Sequence, residues 1–165
     1  MYKFLGNYKI DFDIKLDELK FNSHKIYSHN DKDSNKANSV GYGDNTEFLK
    51  VWGEDYPQYF RDYVEKFPMK VVNSNFQVQK PGHICPPHHD NFKMIKDMGF
   101  DEKPYRILVC MSDWMFGQVI MIEDLVITEW KKGDAYIWDN EALHMSANGS
   151  IGDKLTMIIS GFYED

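Results

Sequence analysis

The sequence predicts a mostly β protein, a sandwich or barrel of short strands with helical support at its N-terminal end. Two observations predict this class. From residue 69 onward, short β-like runs alternate with glycine and proline breakers. Before them, the segment 46–66 has apolar residues at the three- and four-residue spacing of an amphipathic helix. The 165 residues contain no evident linker or internal repeat, so we expect a single domain with residues 1–68 as a supporting segment and 69–165 as the strand-rich core.

The sequence of the N-terminal third indicates structural elements and no catalytic or metal-binding motif. Residues 2–12 alternate loosely and fit one or two edge strands. The polar stretch 28–46 predicts a loop, which is either a lid over a site or disordered. In the segment 46–66, Thr46 fits a helix start, while Pro57 argues for a break or kink within the helix.

The rest of the chain predicts eight short strands. Their even spacing, with turn residues between most of them, is typical of a sandwich or barrel. The candidate strands are 70–79, 84–89, 105–112, 118–123, 125–130, 134–138, 143–147 and 154–163.

The composition disfavours some classes of partner. The formal net charge is -7, with 26 acidic and 19 basic residues and no dense run of lysine or arginine, so we do not expect a nucleic-acid partner. No segment has the length of a membrane span or the apolar stretch of a secretory signal, so we expect no membrane and a cytoplasmic location. Cys85 and Cys110 form no disulfide framework and are predicted to be free thiols.

The segment Gln79–Asp90 contains the first candidate metal ligands. In a strand, residues two apart point to the same side, so His88 and Asp90 can offer an imidazole and a carboxylate to one ion while His89 points away. A His-x-Asp triplet also arises by chance in an Asp-rich chain, and the alternative is a solvated polar turn.

The distal half of the chain adds three more candidates. His144 follows several intervening strands, and Lys154 comes ten residues later. Thr156 shares a strand face with Lys154, which places a cation and a hydroxyl side by side in an otherwise apolar run. The alternative is that Lys154 is a surface residue of an edge strand.

Together these residues resemble the Fe(II)- and 2-oxoglutarate-dependent oxygenases, which combine a His-x-Asp triplet, a distal histidine, a later basic residue and a hydroxyl. The resemblance covers roughly residues 70–163 and implies a double-stranded β-helix, the jelly roll that cupins also have. The residues around Trp138 and His144 especially resemble the aspartyl/asparaginyl hydroxylase branch, and the prolyl hydroxylase branch is the alternative. Two positions differ from common patterns: the aspartyl/asparaginyl branch commonly lacks the carboxylate of Asp90, and most of the wider family has arginine instead of Lys154.

The resemblance implies a site and a reaction. His88, Asp90 and His144 would hold Fe(II), and two imidazoles with one carboxylate leave positions open for the cosubstrate and dioxygen. Lys154, with Thr156 as a hydrogen-bond partner, would bind the far carboxylate of 2-oxoglutarate. The implied activity is hydroxylation of a C–H bond in a peptide side chain or small molecule, with release of succinate and CO2.

Other residues are candidates for binding. Arg106 begins a strand and either pairs with a carboxylate of cosubstrate or substrate, or lies at the surface. Asn75 and Gln77 share a strand face with Gln79, so they either bind substrate amides or face solvent. Trp138 either walls the site or belongs to the core.

Three other interpretations of the pattern stay open. One is a cupin-like metal enzyme that does not use 2-oxoglutarate, in which Lys154 and Thr156 would have no particular purpose. Another is a non-catalytic jelly roll that binds a sugar or a protein. The third, a structural zinc site, would usually recruit the cysteines. The acidic net charge favours a basic or neutral substrate.

Overall fold

The computed structural model describes residues 2–25, 43 and 45–163, which form two antiparallel sheets with short helices. Strands outweigh helices by 47% to 11%, which confirms the predicted mostly β class. The strands are β1 Tyr2–Asn7, β2 Asn22–Lys25, β3 Glu47–Trp52, β4 Met69–Gln79, β5 Ile84–His88, β6 Tyr105–Cys110, β7 Gln118–Ile122, β8 Leu125–Ile127, β9 Asp134–Asp139, β10 His144–Asn148 and β11 Lys154–Tyr163. The helices are α1 Gln58–Val64 and α2 Lys93–Asp97, and 3-10 turns occupy Leu16–Glu18 and Gly53–Asp55.

The strand order confirms the double-stranded β-helix. The larger sheet has the order β1-β9-β6-β11-β4-β3-β2, and the smaller has β5-β10-β7-β8. From β4 to β7 the chain changes sheet at every strand, and it does so again from β8 to β11. All eight strands of this jelly roll match the strands predicted from the sequence, with small differences at their ends.

The outer face of the larger sheet is covered by α1 and the N-terminal segment. Phe60 and Tyr63 of α1 are fully buried in one cluster with Phe76 of β4 and Met157 of β11. Burying each large apolar side chain contributes roughly 1.5–3 kcal/mol. The Tyr63 hydroxyl also donates to the carbonyl oxygen of Tyr8 at 2.7 Å, which ties the N-terminal segment to the helix.

The inner face of the larger sheet meets the smaller sheet across a second apolar cluster. Leu108 and Ile158 from the larger sheet are buried with Ile120 and Ile122 from the smaller one. Because alternate residues of a strand face opposite sides, β6 and β11 contribute side chains to both clusters. The space between the sheets is where the inward-facing polar residues of these strands converge.

The prediction of a helix over 46–66 is wrong for its first part. Residues Glu47–Trp52 form β3, which pairs with β4 and extends the larger sheet, and the helix spans only Gln58–Val64. Pro57 immediately precedes the helix as its N-cap residue, with an extended ψ of 159°, and its missing N–H costs no hydrogen bond within the helix. Leu49 and Val51, two residues apart on β3, pack into the apolar cluster on the outer face of the larger sheet. The helical spacing of the same segment masked this strand alternation.

Other predictions for the N-terminal third have mixed outcomes. The expected edge strand in residues 2–12 is β1, which ends at Asn7 and pairs with β9. Most of the predicted loop 28–46 lies outside the described residues. Both cysteines are free, as predicted. No helix in the described residues is long and apolar enough to cross a membrane. The division into one domain with its boundary at residue 68 stays a prediction.

Candidate metal centre and adjoining cavity

Three side chains meet where β5 ends and β10 begins. His88 is the last residue of β5, His144 is the first of β10, and the two are register partners. Asp90 follows two residues after His88, on the same side of the chain. β5 is an edge strand whose pairing with β10 is irregular between Cys85 and His88, and this position tolerates Pro86 and Pro87, which lack N–H groups.

The ligand atoms of His88, Asp90 and His144 all lie within 4.8 Å of one another. His144 Nε2 is 3.4 Å from Asp90 Oδ2, and His88 Nε2 is 4.0 Å from Asp90 Oδ1. The centroids of the two imidazole rings are 4.3 Å apart. The structure thus brings together the three residues that the sequence predicts as ligands, close enough to one another to hold a single ion.

Both histidine rings are oriented by backbone carbonyls. His88 Nδ1 lies 2.8 Å from the carbonyl oxygen of Pro86, and His144 Nδ1 lies 3.0 Å from that of Ala142. A neutral ring that donates from Nδ1 carries its lone pair on Nε2, the atom that faces Asp90. Burial lowers the pKa of His144 to about 4, so this ring is neutral near pH 7, as a metal ligand must be.

Asp90 is held by two side chains. Its side chain is only 7% exposed. Arg106 forms an ion pair with Oδ1, and Trp138 Nε1 donates to Oδ2 at 3.2 Å. The ring of Trp138 also lies 4.8 Å from that of His144, while the guanidinium of Arg106 lies 5.0 Å from the centre of the Phe92 ring.

A cavity of about 400 Å³ opens beside the three candidate ligands. Its volume is in the range of small-molecule sites, about 300–1,000 Å³. Its wall combines apolar side chains from both sheets with a few polar groups. Besides the three ligands, the lining residues are His24, Phe48, Lys50, Trp52, Gln77, Cys85, Asn91, Arg106, Leu108, Ile120, Ile122, Trp138, Met145, Ser146 and Ile158.

Lys154 and Thr156, the predicted cosubstrate residues, are buried between the sheets but are not part of this cavity wall. Lys154 is 1% exposed, and its Nζ donates across the interior to the carbonyl oxygen of Val119 at 3.2 Å. In the described part of the chain, it forms no ion pair. Burial lowers its pKa to about 7, although the thiols of Cys85 and Cys110 raise it. Lys154 is therefore an interior lysine and not the surface lysine of the alternative interpretation.

The residues predicted to bind substrate differ in whether they line the cavity and in their hydrogen-bond partners. Gln77 lines the cavity and donates from Nε2 to Asn75 Oδ1 at 2.6 Å. Asn75 is buried, but it is not part of the cavity wall. Gln79 lies further along the strand and receives a hydrogen bond from the Ser146 hydroxyl at 3.3 Å. Trp138 lines the cavity and belongs to the core as well, so both interpretations of it apply.

The sequence interpretation missed one wall of the cavity. Phe48, Lys50 and Trp52 alternate along β3 and all line the cavity, joined by His24 from the neighbouring strand β2. The signal was present in the period-2 spacing of these residues. The aromatic spacing of 46–66 favoured a helix instead, so these side chains were not considered for the site.

Comparison with solved structures finds this fold in several proteins. A Pseudomonas putida prolyl-4-hydroxylase is 11% identical, with coverage of 91% of this chain and 95% of its own and a TM-score of 0.55. A predicted oxalate decarboxylase from Thermotoga maritima is 12% identical, with coverage of 92% and 99% and a TM-score of 0.53. The non-heme alpha-ketoglutarate-dependent carbocyclase SnoK from nogalamycin biosynthesis is 11% identical, with coverage of 90% and 83% and a TM-score of 0.54.

No family model and no curated protein sequence matches the chain. At 11–12% identity, the likeness to solved structures shows the fold alone. The chain therefore has a jelly-roll fold that is found in 2-oxoglutarate-dependent enzymes and in a predicted oxalate decarboxylase, and its candidate metal centre consists of two histidines and one aspartate.

Proposed function

We propose that the protein is an Fe(II)- and 2-oxoglutarate-dependent oxygenase that hydroxylates a C–H bond of a small molecule or peptide side chain. The observation that carries this proposal is the convergence of His88, Asp90 and His144 on the wall of a cavity of about 400 Å³. Two neutral imidazoles and one carboxylate are the donor set of non-haem Fe(II) oxygenases, and zinc sites of structural type usually include thiolates.

The donor set fits a bound Fe(II) ion. Because each Nδ1 is engaged by a backbone carbonyl, Nε2 is the atom that each ring offers to a metal, and Asp90 supplies a fixed carboxylate. When bound, Fe(II) with dioxygen and 2-oxoglutarate would supply the oxidising chemistry, with succinate and CO2 as coproducts. The chain itself would bind and orient the substrate and the cosubstrate, and would exclude water from the site.

Lys154 is the residue we assign to the far carboxylate of 2-oxoglutarate. It is an interior ammonium whose described neighbours include no carboxylate partner, and a buried cation in such a place is stabilised by an anion. Thr156 lies two residues further on the same strand face and offers a hydroxyl to the same carboxylate. Cys85, which lines the cavity, is near enough for the charge of Lys154 to act on the pKa of its thiol.

The rest of the wall would orient the substrate and keep water out. Ile120, Ile122 and Ile158 give an apolar surface next to the candidate ligands. Trp138 and Arg106 position Asp90 by hydrogen bonds, and we propose no direct contact of these two with 2-oxoglutarate. The free thiols of the chain agree with a reducing compartment, and we propose that the enzyme acts in the cytoplasm.

A cupin-like metal enzyme that does not use 2-oxoglutarate is the second candidate. The observation that favours it is the position of Lys154 and Thr156 outside the cavity wall. The same metal centre would then serve a different substrate, and Lys154 would be a structural residue held by the Val119 carbonyl.

Calorimetric titration of the protein loaded with Mn(II), a redox-inert substitute for Fe(II), tests the choice between the two. We expect 2-oxoglutarate to bind only when the metal is present, and succinate, which lacks the chelating keto group, to bind at least about tenfold more weakly. His144→Ala should abolish the metal-dependent binding. If Mn(II) binds but 2-oxoglutarate binds no more tightly than succinate, the cupin-like function replaces the oxygenase.

A further inference from the structure

One wall of the cavity presents a lysine between aromatic rings. Lys50 lies on β3, and its Nζ is 5.5 Å from the centre of the Trp52 ring and 5.8 Å from that of Phe48. His24, on the adjacent strand, makes an edge contact with Trp52 at 6.5 Å between ring centres. All four side chains line the cavity beside the candidate metal centre.

Lys50 has no carboxylate partner in the described part of the chain. Its ammonium lies near the faces of two aromatic rings, which attract a cation electrostatically. Burial and, to a smaller extent, the positive charge of Arg106 lower the pKa of Lys50 to about 8, against the opposing effects of Cys85 and Asp90. An aromatic wall alone leaves this ammonium short of hydrogen-bond acceptors, since each Lys head group carries three donors.

The charges already assigned do not neutralise Lys50. The carboxylate of Asp90 is engaged by Arg106 and by the candidate metal position. The two negative charges of 2-oxoglutarate face a divalent ion and Lys154. The protein as a whole has a formal charge of -7, so this cavity wall has the opposite sign to the rest of the molecule. A cationic pocket in an acidic protein favours an anionic ligand locally.

We propose that the substrate is a small organic monocarboxylate whose carboxylate binds Lys50 and whose apolar part lies against the isoleucine wall next to the metal centre. This inference rests on the proposed function and names the substrate class of the same site. A single lysine supplies one positive charge, so Lys50 matches a monoanion better than a phosphate dianion. This proposal differs from the expectation of a basic or neutral substrate, which came from net charge alone.

The test uses benzoate, phenylacetate and hexanoate as probes, with benzamide and phenyl phosphate as comparison ligands. Each is titrated by calorimetry into the Mn(II)- and 2-oxoglutarate-loaded protein. Three variants are compared with the unaltered chain: Lys50→Met removes the charge, Lys50→Arg keeps it, and Lys131→Met removes an exposed lysine outside the cavity wall as a control.

We expect at least one carboxylate probe to bind at least about tenfold more tightly than its uncharged or phosphate counterpart. Lys50→Met should remove that preference while changing the affinity for 2-oxoglutarate less than about twofold, and both Lys50→Arg and Lys131→Met should keep it. The proposal is overturned if benzamide or phenyl phosphate binds as well as the carboxylates, or if no carboxylate binding depends on Lys50.

Two further outcomes separate this inference from the proposed function. If Lys50→Met weakens the binding of 2-oxoglutarate as strongly as Lys154→Met does, Lys50 is a cosubstrate residue. The inference then fails while the oxygenase proposal stands. If the unaltered chain binds no 2-oxoglutarate but still binds a carboxylate through Lys50, the oxygenase proposal fails and the carboxylate site stands.

Discussion

The indole N–H of Trp138 donates to Oδ2 of Asp90 at 3.2 Å, while the same ring lies 4.8 Å from the imidazole of His144. One side chain from β9 therefore contacts two candidate ligands that come from different parts of the chain. A hydrogen bond to a ligating carboxylate fixes its orientation, and such partners typically affect metal affinity by about 10–100-fold.

Replacing Trp138 by phenylalanine should therefore weaken metal binding. Phenylalanine keeps an aromatic ring near His144 but cannot donate to Asp90, so we expect Mn(II) affinity to fall about tenfold. The matched control is Trp114→Phe, which removes an indole hydrogen bond to the carbonyl oxygen of Gln118, away from the site. Calorimetric Mn(II) titration measures both variants, and equal losses in the two would argue against a positioning role for Trp138.

Removing the charge of Lys154 should have opposite effects on ligand binding and stability. In Lys154→Met, the affinity for 2-oxoglutarate should fall at least about tenfold, because the far carboxylate loses its cation. The ligand-free protein should become more stable, since each unit of pKa depression corresponds to about 1.4 kcal/mol of unfavourable charge burial. We expect a gain of roughly 2–4 kcal/mol at pH 7, measured by urea unfolding. Lys80→Met, at an exposed ion pair with Asp153, is the control and should change neither property appreciably.

The stability of the ligand-free protein should also depend on pH through Lys154. Its pKa is about 7 in the folded chain, below the ordinary lysine value of 10.5, so between these values the unfolded chain binds a proton that the folded chain lacks. The free energy of unfolding should therefore rise with pH from about 7 to about 10, relative to Lys154→Met. Below about pH 7 the difference between the two proteins should be constant, with the unaltered chain less stable. Equal pH profiles for the two proteins would show that the amine is not desolvated.

Gly133 should be far less tolerant of substitution than Gly82. Both have positive φ, +96° and +81°, where a side chain costs roughly 1–2 kcal/mol. A Cβ at Gly133 would lie 2.5 Å from the carbonyl oxygen of Tyr8, whereas one at Gly82 would meet no atom within 4 Å. We expect Gly133→Ala to destabilise the protein by roughly 1–3 kcal/mol more than Gly82→Ala in urea unfolding. Similar losses would mean that the N-terminal segment moves away at little cost.

The proximity of two of the candidate metal ligands could be anticipated from sequence, because they lie close together in the chain and their side chains are typical metal ligands. His88 and Asp90 are two residues apart in an extended segment, so the period-2 geometry of a strand places them together without any knowledge of the tertiary structure. The third ligand, His144, was found through its resemblance to a family pattern and not through spacing. The pairing of β5 with β10 brings it next to His88.

The β3 wall of the cavity was not predictable in the same way. Its residues satisfy a helical spacing and a strand alternation at once, and pairing with β4 selects the strand. Trp52 pairs with Asn75, and Lys50 pairs with Gln77, so long-range hydrogen bonds decide which side chains face the cavity. The sequence of this short segment alone does not show which strand it pairs with or in which register.

Anaerobic optical titration with Fe(II) and then 2-oxoglutarate tests the central claim most directly. Bidentate binding of the keto acid to Fe(II) at His88, Asp90 and His144 predicts a weak visible charge-transfer band that saturates with 2-oxoglutarate. The band should be absent in His144→Ala and Asp90→Ala. Fe(II) binding without any band would contradict 2-oxoglutarate chelation at this centre, and a protein that binds no Fe(II) at all would contradict the metal site itself.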